Sequence, residues 1–504
     1  MGQPKSPVSG RPEIRHIHTT AGQTVQWQAP SPQLEETGVS AHRITIVVLA
    51  SVIPIGRPAS VRGTQVTFEA DATISEPVMR RIEVMTVTDT MAAITWETAQ
   101  PEDGIVRFGT KRDRLDHIAR EAGGPRRFHQ CRLTGLQPGT KYYFVCQRAD
   151  ESGEAPANQS FTTLTPPPGR ELFAFATLTD THFGREIVGR VTLAGGRIEF
   201  PGVSWREPQV PLWQVAIEPA IGEINSAMCA FTIVKGDVTH GLDASEFRIA
   251  RDVLGQLTAP CYVVRGNHDR PEQLIRTFGL QHPWYSFDHE GYHFVILDTE
   301  PLLGGPNQAR EDQVRWLAED LQKHREMWTF VFLHRPIQPV LARSSDDALS
   351  NHAIKAGSSL LQKMGGRSAA RALKFATGRL QDVPEPQARR LAQLFSEHGR
   401  VAGVFAGHVH RNFVGYWAAQ TGNLPYVETA SASDYPCGYA ITRVFTGGYM
   451  HNFCIPDDAR CLEWSAITRE TFERMALAGK AGTLADRNFV VRFDRLDLQP
   501  KPTE

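Results

Sequence analysis

Five short apolar runs recur between residues 171 and 410, and polar residues follow each run at once. The runs are LFAFATL, AFTIVK, CYVV, TFVF and VAGVFA. Nearly continuous apolar runs of this length predict strands of a sheet that is covered on both faces. Helical spacing of Gln313, Trp316, Leu317 and Leu321, and an amphipathic stretch from Glu385 to His398 after Pro384, predict helices between them. The pattern therefore predicts an α/β fold in which the polar residues gather at the carboxyl edge of the strands.

A different pattern precedes this region. Residues 80 to 165 contain short strands of alternating polarity, such as residues 93–98, separated by turn residues, which predicts an all-β sandwich. The segment Leu136–Tyr142 resembles the tyrosine corner of fibronectin type III domains, in which the tyrosine hydroxyl bonds to the main chain. The expected core of this sandwich includes Trp96, Cys131 and Cys146.

A length of 504 residues predicts two or three domains. We predict an N-terminal extension over residues 1–78 that is partly disordered, a fibronectin type III-like sandwich over 79–165, a proline-rich linker near 163–169 and an α/β domain over 170–498. The apolar stretch 44–55 is too short to span a bilayer. We interpret it as a strand within the extension; the alternative is a signal-peptide core, if translation begins near Ala41.

Composition excludes some classes of partner. Hydrophobic residues make up 41% of the chain, and 54 basic residues balance 55 acidic ones, so no global field would attract nucleic acid. The seven cysteines are an odd number without a CxxC pair, which favours a reducing, cytoplasmic location over export. Export becomes the prediction if the true start lies near residues 44–55. The sequence does not decide whether one local disulfide forms among Cys437, Cys454 and Cys461.

The polar residues after the five runs are of metal-binding types. They form the blocks D-x-H (Asp180, His182), G-D (Asp237), G-N-H-D (Asn267, His268, Asp269), a lone histidine (His334) and G-H-x-H (His408, His410). A lone histidine after a strand is more often structural than a ligand, and an aspartate after glycine often only opens a turn. Five such blocks in order are much harder to explain by chance. Carboxylate, amide and imidazole donors together suit a pair of transition-metal ions.

In sequence and order, these blocks resemble those of the calcineurin-like metallophosphoesterases. The resemblance implies a four-layer αββα sandwich that binds two divalent or trivalent ions of manganese, iron or zinc. It implies a first ion held by Asp180, His182, Asp237 and His410. It implies a second ion held by Asp237, Asn267, His334 and His408, with Asp237 as the bridge. His268 would then stabilise the transition state and protonate the leaving group, held in place by Asp269.

Details within the blocks point to one branch of this family. His240 stands where purple acid phosphatases place a metal-binding tyrosine, and the chain has the D-x-H histidine, His182, that those enzymes lack. The chain is more similar to the class III cyclic-nucleotide and glycerophosphodiester phosphodiesterases, which the stretches 297–300 (LDTE) and 313–317 (QVRWL) also resemble. We expect His240 outside the ligand set. Arg185, Arg411 and Asn412 adjoin the ligands, and the sequence favours neither substrate contact nor a surface position for them.

The resemblance implies hydrolysis of a small phosphodiester by a metal-bridging hydroxide, with His268 as the general acid. The alternatives are a phosphomonoesterase using the same site and a non-catalytic scaffold, although no ligand of the family is missing. The expected partner is a small phosphoester, without a clear nucleic-acid or membrane signal; the oligomeric state stays open. Two inserts, 183–210 and 341–383, are expected to shape substrate binding. The basic residues of the second more often form a solvated helix face.

Overall fold

The computed structural model describes residues 14–18, 24–28, 79–148, 159–193, 198–303, 307–337, 383–419, 422–474, 478–494 and 497–498. The apolar stretch 44–55 and all but the last residue of the insert 341–383 lie outside these ranges. The chain divides into two compact units, 1–76 and 77–504. In the first unit, strands β1 (Ile14–His18) and β2 (Thr24–Gln28) pair antiparallel. Within the described ranges, no helix combines the length and apolarity required to cross a membrane.

The predicted all-β region is a sandwich of two antiparallel sheets. Gln137 N–H donates to the Tyr142 hydroxyl at 3.0 Å, so the tyrosine corner forms as expected. Trp96, Cys131 and Cys146 all lie in the core between the sheets. One sheet has the order β3 (Met79–Val87), β4 (Met91–Glu102), β7 (Arg126–Thr134). The other has the order β6 (His117–Arg120), β5 (Gly104–Gly109), β8 (Lys141–Arg148), β9 (Gln159–Thr162).

Two large sheets stack face to face in the α/β region. The first has seven strands in the order β14 (Cys261–Val264), β13 (Thr232–Lys235), β10 (Glu171–Leu178), β21 (Tyr439–Phe445), β22 (Gly448–Cys454), β23 (Asn488–Arg492), β24 (Asp497–Leu498). The second has six in the order β15 (Tyr285–His289), β16 (Tyr292–Ile296), β17 (Thr329–Phe332), β18 (Val401–Ala406), β20 (Gly422–Glu428), β19 (Phe413–Ala419). Strands β10, β13 and β14 are parallel, as are β16, β17, β18 and β20.

Helices cover both outer faces, which gives the predicted four-layer αββα arrangement. Phenylalanines such as Phe175, Phe294 and Phe332 fill the space between the sheets. On the outside of the first sheet lie α1 (Leu212–Ser226), α2 (Ala244–Leu254), α3 (Pro271–Phe278) and α6 (Ala459–Arg474). On the outside of the second lie α4 (Gln308–Lys323) and α5 (Glu385–His398), the two helices predicted from spacing. A one-turn helix, α7 (Leu484–Arg487), precedes β23.

The sandwich packs directly on the α/β region. Phe445 and Met450 join the sandwich core, and the Asn452 amide donates to the Val87 carbonyl at 2.6 Å. The proline-rich linker is docked as well, because Gly447 N–H donates to the Pro168 carbonyl. Within the first insert, a hairpin of β11 (Val188–Leu193) and β12 (Ile198–Val203) belongs to the same core as α6. The Cys437 and Cys461 thiols lie 3.7 Å apart.

Candidate metal centre

The five predicted blocks follow directly on the carboxyl ends of β10, β13, β14, β17 and β18. Five of the candidate ligands have a left-handed backbone, with φ between 46° and 71°: Asp180, His182, Asp237, His408 and His410. This conformation costs free energy for any residue with a side chain, and it persists where the surrounding structure demands it. The left-handed residues turn the chain sharply beyond β10, β13 and β18, so that these side chains point to one place.

A first group of donors forms around Asp180. Its Oδ1 lies 3.2 Å from His410 Nε2, and His410 Nε2 lies 3.4 Å from His182 Nε2. His182 Nε2 is also 3.9 Å from Asp237 Oδ2. These four side chains are the ones expected to hold the first ion. Asp180 is fully buried, and its Oδ1 has no hydrogen-bond donor among the described residues, so a buried carboxylate oxygen is left for an ion to satisfy.

A second group lies on the other side of Asp237. His334 Nε2 is 3.3 Å from Asp237 Oδ1, 3.2 Å from Asn267 Oδ1 and 3.2 Å from His408 Nδ1. These are the side chains expected to hold the second ion. Asp237 therefore presents one oxygen to each group. Hard oxygen donors and imidazole nitrogens that converge at such distances fit two transition-metal ions sharing a carboxylate.

Glycines allow two of the loops to approach this closely. A Cβ on Gly266 would lie 2.1 Å from the Asp237 nitrogen, and a Cβ on Gly407 would lie 2.1 Å from Thr179 Oγ1. Neither contact is possible for a residue with a side chain. The glycines of the G-N-H-D and G-H-x-H blocks are therefore required by packing against the neighbouring ligand loop.

Two of the candidate ligand histidines have their outward-facing ring nitrogen held by a protein group. His334 Nδ1 lies 2.8 Å from the Lys235 carbonyl, so this nitrogen carries the proton and Nε2 is directed inward. His410 Nδ1 lies 2.8 Å from a carboxylate oxygen of Asp434, which is fully buried. A carboxylate behind a ligating imidazole fixes its tautomer and raises its basicity. Asp434 lies in no recognised block, and only its position 24 residues after His410, in the loop after β20, could have drawn attention to it.

Charge inside the centre is mutually compensated. Burial opposes ionisation of Asp180 and Asp237, but neighbouring histidines, His410 for the former and His334 for the latter, hold both pKa values well below the usual range. Burial keeps the pKa of His182 well below its usual value. Burial also opposes protonation of His334, yet Asp237 and Asp180 raise its pKa to about 9. Ionised carboxylates and neutral imidazoles are the forms that bind metals, so an ion would have to displace the proton of His334.

The contact expected between Asp269 and the His268 ring is not formed. The Asp269 carboxylate is buried and accepts from the backbone N–H groups of Val238, Thr239 and Gly266. His268 Nδ1 lies 2.6 Å from the His240 carbonyl instead. Because Asp269 is enclosed by three main-chain donors, it cannot turn to the ring beside it. Asp269 therefore holds two loops together, whereas the main chain orients His268.

The structure also locates the residues whose roles the sequence did not decide. His240 stacks parallel to His268, with ring centroids 5.4 Å apart, and its ring meets that of His182 edge-on. Asn412 is buried and bonds to the main chain of Ala430 and Ala481. Arg411 pairs with Glu428. Arg185 pairs with Asp434 beside the first donor group.

Two regions of the chain match known protein families. Residues 175–412 match the family Calcineurin-like phosphoesterase, and residues 77–163 match Purple acid Phosphatase, N-terminal domain. The chain therefore has a calcineurin-like phosphoesterase domain behind a domain of the purple acid phosphatase N-terminal type. These matches support a metal-dependent phosphoric ester hydrolase. The fibronectin type III label for the sandwich stays a prediction.

Two curated relatives confirm the expected branch. A probable cyclic nucleotide phosphodiesterase of Synechococcus sp. is 24% identical over 216 residues, covering 41% of this chain and 70% of the relative. The probable glycerophosphodiester phosphodiesterase GpdQ of Arcobacter nitrofigilis is 24% identical over 193 residues, covering 37% of this chain and 58% of the relative. The chain thus spans less than two thirds of the second relative. A crystal structure of a dimetal phosphatase from Danio rerio aligns with a TM-score of 0.38 and 12% identity, over 57% of this chain and 98% of the other.

Proposed function

We propose that the protein hydrolyses a small phosphodiester at a centre of two metal ions. The observation that carries the proposal is the position of Asp237, which presents one oxygen to Asp180's group of donors and the other to His334's group. Two ions bound there would neutralise phosphoryl oxygens and acidify a shared water. Manganese, iron and zinc all suit this donor set.

His268 is proposed as the general acid. Its Nδ1 lies against the His240 carbonyl, so Nδ1 carries a proton and Nε2 is the nitrogen available to a leaving oxygen. The ring stands edge-on to that of His182, with centroids 5.0 Å apart, which places it beside the first donor group. An imidazole held in this way can pass a proton to an alkoxide as the phosphorus–oxygen bond breaks.

Phosphomonoesterase activity is the second candidate. The match of the sandwich to the N-terminal domain of purple acid phosphatases favours it, because that domain stands ahead of a phosphatase centre in those enzymes. The two curated relatives, a probable cyclic nucleotide phosphodiesterase and a probable glycerophosphodiester phosphodiesterase, support the diester proposal. The same pair of ions would serve both reactions, and contacts to the second ester group would decide between them.

The deciding experiment compares two substrates with one leaving group. Purified full-length protein is loaded with Mn²⁺, its metal content is measured, and bis-p-nitrophenyl phosphate and p-nitrophenyl phosphate are assayed side by side. We expect two ions per chain and a higher kcat/KM for the diester. A clear preference for the monoester would establish the second candidate. Bound metal without turnover of either ester would indicate a non-catalytic scaffold.

We further propose that the sandwich, residues 79–165, and the metal-binding domain, residues 170–498, are two domains, packed against each other, of a cytoplasmic protein. The odd number of cysteines without a CxxC pair supports the location. Cell fractionation with an antibody to the chain tests it, and recovery from the exported fraction would contradict it.

A further inference from the structure

One buried carboxylate beside the metal centre is shared by two basic side chains, those of Arg185 and Lys480. Asp434 is fully buried, and its Oδ2 lies 2.8 Å from His410 Nδ1 and accepts from Arg185 Nη1 at 2.9 Å. Its Oδ1 accepts from Lys480 Nζ at 3.3 Å. Of the described residues, Asp434 is the one carboxylate within 4 Å of either cation. The cluster therefore carries a surplus positive charge directly behind a predicted metal ligand.

Lys480 is placed here by the metal-binding loop itself. It lies in a 3₁₀ turn, Ala478–Ala481, which Asn412 anchors with both its main chain and its side chain. Asn412 N–H donates to the Lys480 carbonyl at 2.8 Å, and the Asn412 side chain donates to the Ala481 carbonyl at 3.2 Å. The Lys480 ammonium also lies 3.7 Å from the centre of the Phe472 ring. Asn412 follows His410 by two residues, so these hydrogen bonds connect the ligand loop to the turn that carries the lysine.

Arg185 approaches Asp434 from the other ligand loop. It follows the D-x-H block, and its N–H bonds to the His182 carbonyl at 2.9 Å in a tight turn. After burial, its charge is the next cause that lowers the pKa of both His182 and His240, so the guanidinium acts on the cleft. Its hydrogen bonds to the described residues use Nε and Nη1. Within the described part of the chain, Nη2 is left without an acceptor.

Both cations are open to a ligand to the same degree as the predicted metal ligand next to them. The exposed fractions of the side chains are 12% for Arg185, 15% for Lys480 and 14% for His410. Lys480 uses one of its three N–H donors on Asp434, and its ammonium also faces the Phe472 ring, which leaves at least one N–H for a ligand. Each of the three side chains therefore keeps part of its surface in solvent, where an anion can reach it.

We propose that Lys480 and Arg185 form a subsite for a second anionic group of the substrate, a carboxylate or a phosphate that is distinct from the phosphoester being cleaved. This inference rests on the proposed phosphodiesterase function and narrows its substrate class. The cleaved phosphate would lie on the metal centre, while the second anion accepts N–H bonds from the two cations. Substrates with a neutral group at that position would leave the surplus charge unmatched.

The test uses two diesters that differ by one charge at nearly constant shape. These are bis-p-nitrophenyl phosphate and p-nitrophenyl p-carboxyphenyl phosphate, both followed by released p-nitrophenolate. The measured quantity is the ratio of kcat/KM for the carboxylated ester to kcat/KM for the dinitro ester. We expect Lys480→Met to lower this ratio about tenfold, mainly through KM, and Lys480→Arg to keep it near the wild-type value. Metal content is measured for every variant.

Lys141→Met is the matched control, because Lys141 also lies over an aromatic ring, 5.3 Å from the centre of Tyr143, but in the sandwich. It should leave the ratio unchanged. Equal losses on both diesters in Lys480→Met would show a purely structural lysine and overturn the inference. Unchanged kcat/KM values for both diesters in Lys480→Met would overturn it as well. If the wild type cleaves neither diester, the proposed function itself fails, whereas cleavage of both without any effect of Lys480→Met on the ratio rejects only the subsite.

Discussion

Two groups of histidines and carboxylates lie at opposite ends of the second sheet, and their ring nitrogens face different atoms. Beyond the carboxyl end of β17, His334 Nε2 faces Asp237 Oδ1 and Asn267 Oδ1 at 3.3 and 3.2 Å. At the amino end of β16, His293 Nδ1 lies 2.7 Å from Asp288 Oδ1 and His293 Nε2 lies 2.9 Å from Asp320 Oδ2. Both groups contain residue types that bind metals.

The difference lies in which lone pairs are free. His293 uses both ring nitrogens on carboxylates, so it is itself the cation that these carboxylates neutralise, and no nitrogen is left for an ion. At the other end, His334 and His410 each use the outer nitrogen on a protein group and direct the inner one to the centre. Residue types alone therefore do not distinguish a metal site from a buried ion pair, whereas the partners of each nitrogen do.

The largest expected effect comes from the carboxylate shared by the two donor groups. Asp237→Asn removes the negative charge between two cations, so we expect loss of both ions and a fall in kcat of about 1,000-fold or more. Metal analysis and kinetics with bis-p-nitrophenyl phosphate measure it. Asp288→Asn, at the other end of the sheet, is the control, and the metal content of this variant should equal that of the wild type. Equal metal content in Asp237→Asn and wild type would refute the bridging role.

The next effect separates proton transfer from metal binding. His268→Ala should keep both ions, because His268 is not in either donor group, and should slow esters of poor leaving groups most. We expect a loss of about 100-fold or more for an alkyl ester and a much smaller loss for a p-nitrophenyl ester, whose leaving group needs little protonation. A loss of the same size for both esters would contradict the role of general acid.

A third effect concerns the carboxylate behind His410. Asp434→Asn leaves His410 in place but removes the charge that raises the basicity of its ring, so we expect Mn²⁺ affinity to fall about 10–100-fold. Titration of metal-free protein with Mn²⁺ measures the affinity, and circular dichroism checks the fold. Activity should return at high Mn²⁺ concentration. An unchanged dissociation constant would mean that Asp434 serves only Arg185 and Lys480.

The contrast between these residues also shows how far sequence reasoning reaches. The ligand blocks, the helix Glu385–His398 and the tyrosine corner were predictable, because each depends on neighbours a few positions away. Asp434 and Lys480 were not, since they lie 24 and 70 residues beyond His410 and meet it only in the folded chain. The partner of His268 was predicted wrongly for a related reason. Adjacency in sequence suggested Asp269, but main-chain donors from another loop occupy that carboxylate.

The smallest effect tests the amino-end group as an ion pair. Burial opposes protonation of His293, but Asp320 and Asp288 outweigh it and raise its pKa. The folded state thus binds this proton more tightly than the unfolded chain, whose histidine pKa is about 6.5. The resulting stabilisation is complete below about pH 6.5 and is lost as the pH rises through the raised folded pKa.

His293→Gln has no titrating group at this position, so its deficit in thermal stability should be greatest near about pH 6 and shrink towards about pH 9. We expect about 1–3 kcal/mol at the lower pH, the usual contribution of hydrogen bonds to a charged group, which corresponds to a few degrees in Tm. Metal content should equal that of the wild type. A deficit that grows with pH would reverse the sign of the linkage, and loss of metal would show that the two ends of the sheet are not the different kinds of site that their hydrogen bonds indicate.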